Sequence, residues 1–362
     1  MQFNTLLVKD VRKETTDTVS VAFTIPSEVT KEDYNFIPGQ YLTLKAMING
    51  EEVRRAYSIC SAPHEDELRV AIKKMPKGVF STYANTELKA GDSIEVMTPT
   101  GHFHDQEEQQ EPEKEAVSKN YVLFAAGSGI TPILSIIKHV LHTEAGSNIT
   151  LLYGNKDVDS IIFGKEFDAL KNKFPARFNF QLIFSQEDRG IEAFYGRINA
   201  EKLPLWGKSF FDVSKIDAFF MCGPEGMTND IRAYLKENNV ADSKVNFELF
   251  HAEGSKANLA KEEIPESDKV NAHMTIIMDD EQYHFDLKTE GTDILQAGVD
   301  AGLDLPFSCK GGVCCTCKAK VLEGHATMML NYSLLDEEVE AGYILTCQAH
   351  PTTKKVVVSF DE

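Results

Sequence analysis

The sequence predicts a multidomain protein: an antiparallel β-barrel, then an α/β domain built on a parallel sheet, then a small α+β domain. The first hundred residues contain short apolar runs separated by turns, at 19–25, 41–46, 68–73 and 93–97. Evenly spaced short runs of this kind are typical of antiparallel strands. The N-terminal third is therefore predicted to be an all-β domain.

The middle third has a different pattern. Apolar runs at 121–125, 149–153, 180–183 and 218–221 alternate with helical patterns at 133–141, 163–173 and 230–239. Strands that alternate with helices indicate βαβ units and a parallel sheet. Strand patterns return at 273–278 and 282–287, and a helix follows at 294–301, which predicts a separate α+β domain.

Two polar stretches separate these regions. Residues 105–119 are rich in glutamate, and residues 252–271 mix charged residues with Gly and Pro. Neither stretch has enough apolar surface to form a core, so both are predicted to be linkers or loops. The predicted domains are therefore residues 1–104, 120–251 and 272–362.

Composition excludes several classes of function. The 362 residues are 42% hydrophobic and 26% charged, as in ordinary globular proteins, and the formal net charge is −19. Such an acidic chain is a poor ligand for nucleic acid. The sequence has no uncharged apolar run of membrane-spanning length. We expect a cytoplasmic protein with no membrane segment.

The cysteines predict a metal centre. Five of the seven lie between positions 309 and 347, and Cys309, Cys314, Cys317 and Cys347 are separated by four, two and 29 residues. This is the spacing of a plant-type [2Fe–2S] site. Zinc is the alternative, although its cysteines usually form two separated close pairs. Cys315 is off the pattern and is interpreted as a bystander.

Two motifs carry a family resemblance. Pro306–Ser308, the loop from Cys309 and the closing Leu345–Gln348 resemble a plant-type ferredoxin domain at the C-terminus of a flavin reductase. Arg55-Ala56-Tyr57-Ser58 resembles the Arg-x-Tyr-Ser signature of the ferredoxin–NADP reductase superfamily. The resemblance implies an FAD-binding barrel, an NAD(P)-binding α/β domain and a β-grasp ferredoxin domain.

The same resemblance implies roles for residues of the barrel. Arg55 would hold a phosphate of FAD, Tyr57 would stack on the isoalloxazine, and Ser58 would lie near its reactive nitrogen. A second segment would bind the pyrophosphate at a helix N-terminus. The further predicted FAD contacts are Ala56, Ile72, Lys73, Gly78, Val79, Phe80, Ser81 and Thr82.

The nucleotide domain carries a glycine turn after its first strand, which allows close approach of a dinucleotide. The Cys-Gly-Pro segment after residue 221 borders the nicotinamide in the resembled family. The resemblance implies catalytic roles for Cys222, Ser58 and Glu248, with Phe250 near the flavin. The predicted nucleotide contacts are Gly127, Gly129, Thr131, Pro132, Asn155, Lys156, Ser185, Cys222, Gly223, Pro224 and Met227.

Lys156 and Ser185 favour NADPH over NADH, because a cation and a hydroxyl suit the 2′-phosphate. Gln186 stands where relatives often have Arg, and Asp157 is close by, so NADH stays possible.

The resemblance implies an oxidoreductase that passes electrons from NADPH through FAD and a [2Fe–2S] cluster to an oxygenase component or another protein acceptor. Residues 271–362 hold 15 acidic and 6 basic side chains, which favours a basic partner. The alternatives are a reductase for another hydroxylase or desaturase, a stand-alone diaphorase or nitric-oxide-related reductase, and a redox sensor.

Overall fold

The computed structural model describes residues 3–104, 118–250 and 264–362. The chain divides into two compact units, of which the first comprises most of the two N-terminal domains and the second most of the C-terminal domain. Most of the two predicted linkers lies outside the described residues. Asn271, predicted as linker, already belongs to a strand. None of the helices in the described parts is long and apolar enough to span a membrane.

The N-terminal domain is a six-stranded antiparallel sheet in the order β4-β3-β6-β1-β2-β5. The first residues of β6 alternate between solvent and core, because successive residues of a strand face opposite sides, whereas β2 and β5 are buried almost throughout. The long first strand was not predicted, because its central charged residues interrupt the apolar alternation. The elements are β1 (Phe3–Thr15), β2 (Thr18–Thr24), β3 (Tyr41–Ile48), β4 (Glu51–Ser58), β5 (Leu68–Lys73), helix α1 (Val79–Thr86) and β6 (Ser93–Met97).

The sheet closes on itself at the end of β4. Ile59 forms an isolated antiparallel bridge with Val70, and the Cys60 amide donates to the Arg69 carbonyl at 2.9 Å. These bonds join the extension of β4 to β5, the opposite edge of the sheet. The predicted antiparallel barrel is confirmed.

The second domain is a five-stranded parallel sheet in the order β11-β10-β7-β8-β9. Helices α2 and α3 contribute to an apolar core on one face, and α4 and α5 to a core on the other. The strand order reverses between β7 and β10, where open α/β sheets bind ligands. The elements are β7 (Asn120–Ala126), α2 (Ile130–Thr143), β8 (Asn148–Asn155), α3 (Gly164–Lys173), β9 (Phe178–Phe184), α4 (Leu203–Ser209), β10 (Ala218–Gly223), α5 (Glu225–Glu237) and β11 (Val245–Leu249).

The barrel and the parallel-sheet domain share a core. Cys60 and Phe103 of the barrel belong to the same buried apolar cluster as residues of α2, β7 and β8. Phe103 meets Phe220 edge to face, with ring centroids 5.6 Å apart. The buried Ser135 hydroxyl of α2 donates to the Ser61 carbonyl at 2.6 Å. The first unit is therefore held together by buried contacts.

The C-terminal domain has a five-stranded sheet in the order β13-β12-β18-β14-β16. Strands β12 and β13 form an antiparallel hairpin, and β18 runs parallel to β12. Helix α6 begins after Asp293, whose carboxylate accepts the Gln296 amide at 2.8 Å. The predicted β-grasp fold is confirmed. The elements are β12 (Asn271–Met278), β13 (Glu281–Lys288), α6 (Ile294–Asp300), β14 (Lys318–Glu323), β15 (Ala326–Met328), α7 (Asp336–Glu340), β16 (Tyr343–Leu345), β17 (Ala349–Pro351) and β18 (Lys355–Ser359).

The close packing of the glycine turn after β7 can be tested by substituting Gly129. A Cβ atom at this position would lie 2.2 Å from the Cys222 carbonyl oxygen and 2.6 Å from its carbon, so the backbone has to move. We expect Gly129→Ala to lower the free energy of unfolding by about 1–3 kcal/mol, measured by denaturant titration.

Gly226→Ala is the matched control. Gly226 lies in α5, and a Cβ atom there would meet no atom of the described residues within 4 Å. This variant should keep or gain stability, by up to about 1 kcal/mol from helix propensity. Equal stability of the two variants would contradict the steric argument.

Candidate cofactor and electron-transfer sites

The glycine turn after β7 leaves space for a dinucleotide at the switch point of the parallel sheet. Gly127 has φ +54°, in the left-handed region, and accepts the Tyr153 hydroxyl at 3.1 Å. Thr131 donates to the Ser128 carbonyl at 3.0 Å, so its side chain fixes the turn. No side chain of the described residues caps the first amides of α2. These amides suit a phosphate group.

Asn155, at the end of β8, has an unsatisfied side chain. The carboxamide is buried beside the Tyr153 hydroxyl, yet neither its oxygen nor its nitrogen completes a hydrogen bond within the described residues. Buried polar groups are normally hydrogen-bonded. A bound nucleotide would supply the missing partner, so this end of the sheet fits the predicted NAD(P)H.

The loops beside Asn155 carry the residues predicted to choose between NADPH and NADH. Lys156 is exposed. The Ser185 hydroxyl donates to the Asn155 carbonyl at 3.3 Å. Glu187 accepts the Val158 amide at 2.9 Å, which places a carboxylate on the loop that follows Lys156. The structure brings Asn155, Lys156 and Ser185 together and adds this nearby negative charge.

Strand β10 ends in the predicted Cys-Gly-Pro segment. Cys222 is fully buried, and a Cβ atom at Gly223 would lie 2.7 Å from the Met227 methyl carbon, so the segment packs tightly. Pro224 precedes α5, whose first turn has no side-chain cap. The Gly223 carbonyl accepts the Phe250 amide at 3.3 Å, which brings the predicted aromatic residue to the same place.

The three predicted catalytic side chains lie together, with Ser58 and Cys222 both next to the carboxyl group of Glu248. Glu248 Oε2 accepts the Ser58 hydroxyl at 3.4 Å and lies 3.9 Å from the Cys222 sulfur. Cys222 and Glu248 are register partners on β10 and β11. Burial raises the pKa of Glu248 to about 8, and hydrogen bonds from Ser58 and Cys222 offset part of this effect. Burial also raises the pKa of the Cys222 thiol. The raised pKa favours the protonated, uncharged form of Glu248 at neutral pH.

The barrel presents the predicted flavin residues on two elements. Arg55 to Ser58 end strand β4, and the ring of Tyr57 is half-buried with its centroid 5.6 Å from that of Phe80 on α1. Arg55 Nη1 donates to the Arg54 carbonyl at 2.7 Å. A tyrosine that is supported on one face by the core suits a flat cofactor on the other.

Helix α1 supplies the second element. Its N-terminus at Gly78 has no side-chain cap, and the Ser81 hydroxyl accepts the Met75 amide at 3.1 Å instead. Helix-start amides that have no side-chain cap among the described residues suit the FAD pyrophosphate. Lys73 ends β5 and lies 3.7 Å from Asp17, and Ile72 is fully buried. The predicted residues Val79, Phe80, Ser81 and Thr82 form the first turn of α1.

The four predicted cluster ligands form two pairs. The sulfurs of Cys309 and Cys314 are 3.1 Å apart, and Cys317 hydrogen-bonds to Cys347. Within the described residues, no three metal-ligating side chains converge on one point that would hold a single ion. Two thiolate pairs fit two irons with two cysteines each better than one tetrahedral zinc with four.

The loop that carries the predicted ligands also favours the thiolate form of Cys309. The Cys314 thiol, followed by the amides of Gly311 and Val313, lowers the pKa of Cys309 to about 6 despite burial. The Gly311 amide donates to the Cys309 sulfur at 3.3 Å. Gly312 has φ +73°, which turns the loop back on itself. The contact with Cys309, together with burial, raises the pKa of the Cys314 thiol, so the fit to an iron–sulfur cluster rests on the paired sulfurs and the loop amide that faces them.

Three family models match consecutive parts of the chain. Residues 5–104 match the family of oxidoreductase FAD-binding domains, residues 123–233 the oxidoreductase NAD-binding domains, and residues 276–352 the 2Fe-2S iron-sulfur cluster binding domains. One of the subunits of 1,2-phenylacetyl-CoA epoxidase from Escherichia coli K12 is 42% identical over 99% of this chain and 98% of its own length.

The chain belongs to the ferredoxin–NADP reductase superfamily, in the group with a C-terminal plant-type ferredoxin domain. This reductase is also 32% identical to the ferredoxin reductase component of 3-ketosteroid-9-alpha-monooxygenase from Rhodococcus rhodochrous, over 98% of this chain and 96% of that one. Its fold matches phthalate dioxygenase reductase with a TM-score of 0.55 and 21% identity, over 99% and 98% of the two chains. It is an NAD(P)H-dependent oxidoreductase with FAD and a [2Fe–2S] cluster, related to reductase components that pass electrons to oxygenases.

Two hydroxyl groups of the cluster loop were not predicted from the sequence. Thr316 is fully buried, and its side chain hydrogen-bonds to the Cys314 sulfur. Ser308 is buried next to Cys309. The available signal was a hydroxyl residue directly before each of three ligand cysteines, namely Ser308, Thr316 and Thr346. The direction of those hydroxyls depends on the fold and could not be read from the sequence.

The raised pKa of Glu248 predicts how the stability of the cofactor-free protein depends on pH. Its pKa rises from 4.5 to about 8 on folding, so between these values the unfolded chain loses a proton that the folded chain keeps. The stability contributed by this group therefore falls as the pH rises through that window. Glu248→Gln should remove this fall. Because Glu248 keeps partial solvent exposure, the effect is on the order of 1 kcal/mol, or about 2–4 °C in Tm.

The measurement is a series of thermal melts from pH 5 to 9. Over this pH range the Tm of the wild type should fall by more than the Tm of Glu248→Gln. Glu237→Gln, which changes an exposed glutamate at the end of α5, serves as the control and should follow the wild type. Parallel curves for wild type and Glu248→Gln would show that the carboxyl ionises normally.

Proposed function

We propose that this reductase supplies electrons from NADPH to a di-iron phenylacetyl-CoA epoxidase in phenylacetate degradation. The observation that carries the proposal is the 42% identity, over nearly the full length of both chains, to one component of the Escherichia coli 1,2-phenylacetyl-CoA epoxidase. The ketosteroid monooxygenase relative covers the chain equally well but is 32% identical. The cytoplasm is the proposed location, since all seven cysteines are free.

The nucleotide is proposed to bind across the carboxyl ends of β7, β8 and β10. Gly127 and Gly129 give its phosphates access to the first turn of α2, which includes Thr131 and Pro132. The unsatisfied Asn155 side chain would hydrogen-bond to it. Lys156 and Ser185 would hold the 2′-phosphate of NADPH, against the nearby charge of Glu187. The proposed contacts at the nicotinamide end are Cys222, Gly223, Pro224 and Met227.

FAD is proposed to lie on the barrel strand that carries Tyr57. Arg55 would pair with its phosphate, and the amides at the start of α1 would hold the pyrophosphate. When bound, FAD accepts a hydride from the nicotinamide and the iron–sulfur cluster carries single electrons. The further proposed contacts are Ala56, Ile72, Lys73 and Gly78 to Thr82.

Ser58, Cys222 and Glu248 are proposed to act as a positioning cluster where the two cofactors meet. The side chains come from the barrel and from two strands of the parallel sheet, so they hold the two domains at a fixed distance. An uncharged Glu248 adds no negative charge beside a reacting hydride. Phe250 would cover this point from solvent, because its amide is anchored to the Gly223 carbonyl.

Cys309, Cys314, Cys317 and Cys347 are the proposed cluster ligands, in the pairs that the structure forms. The domain that carries them is strongly acidic, with 15 acidic and 6 basic side chains in residues 271–362. This charge favours an epoxidase with a basic docking face, and their association should weaken as salt is added.

Reconstitution tests the proposed acceptor. The purified holoprotein is mixed with NADPH, phenylacetyl-CoA and the oxygenase components of the Escherichia coli epoxidase, and the epoxide is quantified by mass spectrometry. We expect product formation that depends on this chain. Rapid ferricyanide reduction without any product would reject the epoxidase as acceptor and favour another oxygenase or a stand-alone diaphorase.

Two adjacent cysteines provide matched controls for the reconstitution. Cys314→Ser should lose the cluster and reduce product formation by roughly a hundredfold or more, because a ligand is missing, while ferricyanide reduction continues. Cys315→Ser changes a thiol that donates to the Ser333 carbonyl and should stay active. Equal activity of the two variants would contradict the ligand assignment.

Lys156→Glu tests the proposed 2′-phosphate contact. The substitution replaces an attraction with a repulsion, so the KM for NADPH should rise about tenfold more than the KM for NADH. Steady-state ferricyanide reduction with each nucleotide measures this ratio. Lys165→Glu makes the same charge change at an exposed position of α3 and should leave the ratio unchanged. A proportional rise for both nucleotides would remove Lys156 from the phosphate site.

A further inference from the structure

The Ser308 hydroxyl is a buried polar group to which the described residues offer no hydrogen-bond partner. The residue is 3% exposed, and its Oγ atom has no hydrogen-bond partner among the residues that the structure describes. An unsatisfied buried hydroxyl costs about 1–3 kcal/mol. Such a group in a well-packed loop indicates a partner that is not part of the polypeptide.

The position of Ser308 identifies that partner. Its Cα atom is about 3.8 Å from that of Cys309, the first proposed ligand of the cluster. The cluster brings thiolate and sulfide sulfurs into this loop, and both are hydrogen-bond acceptors. A hydroxyl that is excluded from solvent beside these sulfurs has an acceptor as soon as the cluster is present.

Two nearby threonines show what hydroxyls do in this loop. Thr316, fully buried, hydrogen-bonds to the Cys314 sulfur. Thr346, also fully buried and next to Cys347, donates to the Cys317 carbonyl at 2.9 Å. One hydroxyl therefore serves a sulfur and the other serves the backbone.

We propose that the Ser308 hydroxyl donates a hydrogen bond to a sulfur of the [2Fe–2S] cluster and raises its reduction potential. One-electron reduction adds one negative charge to the irons and sulfurs. A hydrogen-bond donor stabilises the more negative state more strongly, so the reduced form is favoured. The inference rests on the proposed ligation by the four cysteines.

The test is an EPR-monitored titration of the holoprotein with dithionite as the electron source. Ser308→Ala should keep the wild-type iron and sulfide content and have a more negative midpoint potential. The ratio of oxidised to reduced cluster at a fixed ambient potential should rise about three- to tenfold, a shift of about 30 to 60 mV for one electron. Ser308→Thr keeps the hydroxyl and should stay close to the wild type.

The threonines serve as controls. Thr316→Val removes the hydroxyl that contacts a sulfur and should shift the potential in the same direction as Ser308→Ala. Thr346→Val removes the hydroxyl that contacts the backbone, so it should lower thermal stability without shifting the potential. Ser308→Gly also lacks the hydroxyl and replaces Ser308→Ala if the alanine variant fails to assemble a cluster.

An unchanged potential in Ser308→Ala or Ser308→Gly, with a shifted Thr316→Val, would overturn the proposal and assign the hydroxyl to a buried water. A rhombic EPR signal that survives Cys314→Ser would instead overturn the ligand assignment. The two failures are therefore distinguishable.

Discussion

The parallel register between β10 and β11 brings together the side chains that are proposed to position the cofactors. It places Cys222 beside Glu248. The pairing of β10 with β7 places Cys222 beside Ala125, near the end of the strand that leads into the glycine turn. A slip of one residue would send each of these side chains to the opposite face of the sheet. The Ser58 hydroxyl can reach the Glu248 carboxylate only because this register holds. The geometry of the proposed positioning cluster thus depends on backbone hydrogen bonds far more than on any single side chain.

The C-terminal domain is organised differently, since its proposed cluster ligands lie mainly in a loop rather than at a sheet edge. The backbone turns sharply at Gly312, and amides and a neighbouring thiol favour the thiolate of Cys309. Cys347 comes from a later segment, and Thr346 ties that segment to Cys317 through two hydrogen bonds to one carbonyl. Local loop geometry and one long-range connection together form the two cysteine pairs.

Much of this architecture was predictable from the sequence. Strands such as β5 and β6 carry an apolar pattern that fixes their bounds, and cysteine spacing is a direct consequence of cluster geometry. Strand β1 was missed because charged residues fill its exposed face, and α4 because it is short. The meeting of Ser58 with Glu248, 190 residues apart, is set by tertiary packing. The same holds for the raised pKa of Glu248 and for the buried hydroxyls of the cluster loop, which no local pattern encodes.

The apolar cluster that joins Cys60 and Phe103 to the helices of the parallel-sheet domain has a consequence for cooperativity. Neither N-terminal domain buries this cluster by itself, because each domain covers part of the apolar surface of the other. Calorimetry of the intact chain would then record the melting of these two domains as one transition. A protein fragment that ends after the barrel would expose this apolar surface to solvent, which would favour aggregation.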